Sequence, residues 1–157
     1  MRRLVELYTS AYADGALFFN RFNLPKDLKS MTLEMDKNYG IFVDECKIES
    51  STEELEIIAH ECGHFYTGAT HRVGSPFDLI ERHEVRADRW AIERLVPKEN
   101  FDIAIRSGEV APWELAELFN VSQPFMEKAI SYYHMLDLME KEKGQPTAAS
   151  VDWPEEM

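Results

Sequence analysis

The spacing of apolar positions along the chain switches between a helical and a strand period, and the switches divide it into elements. Residues 2–13 place Leu4, Leu7, Tyr8 and Ala11 on one face. That spacing predicts an amphipathic helix, ended by Asp14-Gly15. Leu17-Phe18-Phe19 predicts a short strand, with a second short helix as the alternative reading. Residues 23–27 read as a turn or the start of a brief helix. Residues 31–35 alternate apolar and polar, and 41–44 follow a loop over 36–40, which predicts an antiparallel hairpin.

From residue 52 the helical period returns. Leu55, Ile58, Ala59, Cys62 and Tyr66 form one apolar stripe, started by a capping box of Ser51 and Glu54 and ended by Gly68. After a loop over 67–76, a second helix runs from 77 to 95. Ser75 is its expected N-cap, Pro76 suits its first position and Pro97 stops it. Its stripe is Phe77, Ile80, Ala87, Ala91 and Leu95, and its solvent face is Arg82, Arg86, Arg89 and Glu93. Residues 99–106 predict a short helix closed by Ser107-Gly108. Pro112 opens another through Phe119, and Pro124 starts a last one ending near residue 143.

These elements predict an α+β fold. A small antiparallel sheet packs on the helix at 52–68, and a helical C-terminal part follows. Residues 113–123, with Ala116 and Val121 at tight-packing positions, read as a helix-turn-helix-like unit. The expected organisation is a main domain over 1–108, a helical subdomain over 109–143 and a flexible acidic tail over 144–157, in which Trp153 has no assigned role.

The first long helix carries His60-Glu61-Cys62-Gly63-His64. Two histidines four apart lie on one side of a helix, so both imidazoles can reach one metal ion. The Glu between them is placed to take a proton from water on that metal. The competing reading is an ordinary solvated helix face, and a third ligand decides between them. Glu84 and Asp88 supply one, because they interrupt the apolar stripe of the second helix. Buried charge costs several kcal/mol unless it is paired or bound to metal. Glu84 is the expected third ligand, leaving the fourth position to water. Asp88, one turn on, is placed to accept the free N–H of a ligand histidine and fix its tautomer. Ala87 and Ala91 allow the two helices to approach closely. Glu81 is the rival third ligand, and His71 and His83 are weaker candidates.

HExxH followed at this spacing by E-x-x-x-D resembles the Glu-zincin metallopeptidases. The run from Glu84-Val85-Arg86-Ala87-Asp88 through Ala91 to Leu95-Val96-Pro97 resembles the ImmA/IrrE family over roughly residues 1–135. The resemblance implies a zincin-like fold and a zinc-dependent endopeptidase, often encoded by phage or mobile elements, that cleaves a DNA-binding repressor. Carried over by position, His60, His64 and Glu84 match the metal ligands and Glu61 the general base. Cys62 departs from the aliphatic residue more common there, and a small apolar role is expected of it. In zincin-like proteins an edge strand beside the active helix can hold an extended substrate. Tyr66 and His71 are the candidates for stabilising an oxyanion, and the spacing fixes neither.

The net charge of −12, from 17 basic and 29 acidic residues, argues against nucleic acid as a direct ligand. It suits a basic protein partner such as a repressor, and equally serves solubility. No run is apolar enough to span a membrane, no signal peptide is legible, and Cys46 and Cys62 make no disulfide framework. A cytoplasmic setting is expected. The functional expectation is therefore zinc-dependent hydrolysis of a cytoplasmic protein. The alternative is a non-catalytic regulatory module that docks on a transcription factor with a structural metal. Direct DNA binding through 111–130 is a third reading, weakened because Lys128 is the one basic residue between Val121 and Ile130.

Overall fold

The first helix, α1 (Arg2–Ala13), buries Leu7 and Ala11, two members of the predicted stripe, and leads through Gly15 into the sheet. A computed structural model describes residues 2–36, 38–70, 76–108 and 111–144. The strands are β1 (Ala16–Asn20), β2 (Ser30–Met35) and β3 (Asn38–Val43), in the order β1-β3-β2. Five more α-helices follow among the described residues: α2 (Ser51–Thr67), α3 (Phe77–Leu95), α4 (Lys98–Ser107), α5 (Pro112–Phe119) and α6 (Gln123–Gly144). The α+β class is as expected.

The sheet differs from the expectation of a purely antiparallel one. β2 and β3 form the antiparallel hairpin, but β1 pairs with β3 in parallel. The cause is the connection over residues 21–29, which crosses the end of β3 and returns the chain on its other side. Asp44 fastens that crossing. Its carboxylate accepts from Leu24 N at 3.1 Å, its backbone N–H donates to Lys29 O, and Lys47 donates to the Leu24, Pro25 and Leu28 carbonyls. The hairpin turn is also tighter than the predicted 36–40 loop. Pairing continues to Met35↔Asn38, so Tyr39 and Gly40 belong to β3, and Asp36 takes a left-handed φ of 47°.

The core is one cluster of buried side chains. It runs from Leu7 and Ala11 through Ile41 and Val43 of the sheet to Leu55, Ile58 and Cys62 of α2. From there it continues through Ala91 and Leu95 of α3 to Leu115, Met126 and Tyr133 of the C-terminal helices. Long-range polar contacts pin the helix ends. The Arg3 guanidinium donates to Leu95 O and Phe119 O, so it serves orphan carbonyls at the ends of both α3 and α5. Glu56 of α2 accepts from the backbone and hydroxyl of Ser122, at the start of α6. α5 ends at Asn120 in the left-handed conformation, and Val121 N closes the turn onto Ala116 O. The predicted Ser75 cap, and all of the predicted tail but Gly144, lie outside the described residues.

Candidate metal centre

The site is built by α2 and α3, with β2 as the third wall. α2 starts one residue earlier than its predicted capping box. Ser50 is the N-cap and accepts from Glu53 N at 3.1 Å, while Glu54 accepts instead from the Tyr8 hydroxyl. Gly68 ends the helix as expected, with φ at 62°. Between these ends Leu55, Ile58, Ala59 and Cys62 are buried, and the Cys62 thiol is pushed up to about 12 by burial. Cys62 therefore has the apolar role expected of it.

Tyr66 departs from the stripe. It is exposed, stacks on Trp90 with ring centroids 5.0 Å apart, and donates to Asp14 at 2.7 Å. It lines a hollow with Ser10, Glu93 and Arg94, not the cleft that holds the histidines. That placement removes it as an oxyanion donor. His71 lies outside the described residues.

α3 lies directly against α2 because Gly63 permits it. A Cβ at Gly63 would stand 2.5 Å from Ala87 O and 2.8 Å from Ala87 Cα. At that approach His60, His64 and Glu84 each present a ligand atom, all within 4.8 Å of one another. His60 Nε2 lies 3.1 Å from both Glu84 Oε2 and His64 Nε2, and His64 Nε2 lies 3.5 Å from Glu84 Oε1. His60 Nδ1 is 2.8 Å from Asp88 Oδ1. His64 Nδ1 is 2.6 Å from Ala69 O. A carbonyl only accepts, so His64 carries its proton on Nδ1 and turns a lone pair on Nε2 toward the group. The rival Glu81 is exposed, and neither it nor His83 belongs to the group. Phe77, expected in the stripe, is 81% exposed, so packing of α3 begins only at Ile80.

Glu84 and Asp88 do not lie deep in the core as their stripe positions predicted. Their side chains are 44% and 36% exposed: Asp88 lines a hollow against α6 with Arg89 and Lys128, and Glu84 lines an open cleft. That cleft is about 470 Å³ and is walled by Leu28, Met31 and Leu33 as well as by the polar residues. The electrostatics suit a cation. Burial alone would lower the His60 imidazole, but hydrogen bonds to Asp88 and Glu84 and the charge of Glu61 hold it up at about 9. Burial and the neighbouring His60 push His64 down. Burial acts to raise Asp88, yet its bond to His60 holds it below the usual carboxylate range. A proton on His60 stands where a metal ion would place its charge, and two imidazoles with one carboxylate are a donor set that fits zinc.

Glu61 is buried beside this group. Its Oε1 accepts from Ser30 Oγ at 2.5 Å and its Oε2 from Thr32 Oγ1 at 2.5 Å. Neither hydroxyl was legible as part of the site, because nothing in a strand's alternation says which helix residue lies across from it. The Ser-x-Thr spacing, which puts two hydroxyls on one strand face, was the available signal. Lys128 of α6 also reaches in, 3.4 Å from Asp88 Oδ2.

Compared with known families, the chain matches the model of Peptidase_M78, the IrrE N-terminal-like domain, over residues 17–131. The chain belongs to this family. The match covers most of the chain, including both helices and the strand that build the cleft, so the resemblance in the motif extends to the whole frame around it. Membership supports a zinc metallopeptidase-like function in general terms, a metal in the site and a protein as substrate. No curated protein and no solved structure matches the chain. Among the described residues no helix is long and apolar enough to cross a membrane.

Proposed function

We propose that the protein is a zinc-dependent endopeptidase that cuts a regulatory protein, a DNA-binding repressor, in the cytoplasm. The observation that carries this reading is the convergence of His60, His64 and Glu84 within 4.8 Å, in the same cleft as a buried Glu61. His60 Nε2, His64 Nε2 and a Glu84 oxygen would hold the ion. When bound, zinc supplies a Lewis acid that polarises a peptide carbonyl and acidifies water toward neutral pH.

The chain's own residues do the rest. Glu61 accepts the proton of the attacking water and returns it to the leaving amine. Asp88 keeps the His60 ring oriented through Nδ1, and Ala69 O does the same for His64. Among the described residues β2 pairs with β3 on one side only, so its outer edge is placed to take up an extended peptide. Leu28, Met31 and Leu33 on the cleft wall favour an apolar substrate side chain. A net charge of −12 favours capture of a basic protein, as DNA-binding repressors are.

The test is turnover. Zinc-loaded wild-type protein and Glu61→Gln are each incubated with candidate repressors from the same genome. The expected result is a discrete cut by the wild type and a loss of at least about 100-fold in Glu61→Gln, with zinc retained. A repressor that is bound but left intact by both would replace the peptidase with a docking module.

A further inference from the structure

We propose that Ser30 and Thr32 are positioning residues that hold the Glu61 carboxylate in the orientation proton transfer requires. This rests on the peptidase reading and adds a further pair of residues to it. The two are separated by one residue on β2, so both hydroxyls leave the strand on the same face, toward α2. Each takes one oxygen of the same carboxylate, at 2.5 Å. Thr32 and Glu61 are 6% and 4% exposed, so this contact is made away from bulk water.

Three features point to positioning beyond the satisfaction of a buried charge. Glutamate has several rotatable bonds and would otherwise sample orientations that miss the reacting water. Threonine is β-branched and stiff, so its hydroxyl direction is set by the strand backbone. Second, hydroxyls orient a carboxylate without neutralising it. An arginine would bind it bidentately as an ion pair, and among the described residues no lysine or arginine pairs with Glu61. Third, a carboxylate has about four lone-pair sites. One hydroxyl on each oxygen leaves a free site on each, so the clamp fixes the group and still admits a proton. Because β2 also walls the cleft, the strand that faces the substrate is the one that sets the base.

The experiment uses the full zinc-loaded chain and a library of internally quenched peptides. Ser30→Ala/Thr32→Val should lower kcat about 10- to 100-fold, with KM and zinc content unchanged. Thr32→Ser, which keeps the hydroxyl, should recover kcat to within about threefold of wild type. Adding Thr32→Val to Glu61→Gln should cost no further turnover, because the group being positioned is already gone. Independently of activity, Thr32→Val should lower Tm by about 3–6 °C, and that drop should shrink in a Glu61→Leu background, where the Glu61 backbone carbonyl, 3.3 Å away, is the acceptor left to the hydroxyl. A wild type that turns over while the double variant keeps its kcat overturns the positioning role alone. A zinc-loaded wild type no faster than Glu61→Gln overturns the peptidase reading and the positioning role with it. The Tm cycle then still separates a real contact from none.

Discussion

Gly63 and Ala87 touch backbone to backbone: a methyl group on Gly63 would sit 2.5 Å from the Ala87 carbonyl oxygen. That contact sets the separation of α2 and α3, and so the distance from the two histidines to Glu84 and Asp88. Gly63→Ala must push the helices apart, since the atom it meets is backbone and cannot rotate away. Overpacking of this kind costs about 1–3 kcal/mol. The expected outcome is a Tm lowered by roughly 3–10 °C together with weaker zinc binding. Thermal denaturation and zinc titration of the variant check both. A variant with wild-type Tm and zinc affinity would mean that the helix separation is set elsewhere.

Asp88 lies 2.8 Å from His60 Nδ1 and contributes no atom to the three-residue ligand group. Its removal should act through the histidine. Asp88→Ala should weaken zinc binding about 10- to 100-fold, and Asp88→Asn, which keeps an accepting oxygen, should lose less. Competition with a chromogenic chelator measures the order. Equal affinities for wild type and Asp88→Ala would remove the orienting role.

The metal-free site is built to hold a proton, and this predicts a pH dependence. His60 is held up at about 9 by Asp88, Glu84 and Glu61 against its burial. A raised histidine stabilises the fold fully below its unfolded value of about 6.5, and that contribution is lost as pH rises through the folded value. His64, pushed down by burial and by His60, is already neutral across this window. The chelated protein should therefore lose Tm between about pH 7 and pH 9.5, and His60→Gln should flatten the curve. Zinc must displace the same proton, so its apparent affinity should fall by up to about tenfold per unit below pH 9.

The candidate residues were legible within each helix because helix geometry is local. Four residues return a side chain to the same face, so His60 and His64 are paired by spacing alone, as are Glu84 and Asp88. The fold class was legible for the same reason, since each stripe sits on its own element. What was not legible depends on contacts across the chain. The parallel pairing of β1 follows from the Asp44-fastened crossing. The Ser30 and Thr32 clamp on Glu61 needs the placement of β2 against α2. The role of Gly63 depends on Ala87 lying against it across the two helices. Tyr66 fell on the apolar stripe by period, yet it turns outward because Trp90 and Asp14 give it a surface partner.

The helix-turn-helix-like part is tied into the body in a way that leaves little for DNA. Glu56 accepts from Ser122 at the start of α6, Tyr132 donates to Glu93, and Lys128, at the basic position a phosphate contact would need, faces Asp88. Glu56→Ala should cost about 1–2 kcal/mol by leaving the Ser122 N–H and hydroxyl without their carboxylate, which thermal denaturation measures. No salt-sensitive mobility shift is expected with duplex DNA, because phosphate binding needs a basic face. A steep loss of binding with added salt would contradict that.

The most direct test of the whole account is the zinc content of the purified chain, wild type beside Glu84→Ala, after saturation with zinc and removal of the excess. The expected result is close to one zinc per wild-type chain, held by His60, His64 and Glu84, and its loss in the folded variant. A folded wild type that retains no zinc, or a Glu84→Ala variant that retains as much as the wild type, would contradict it.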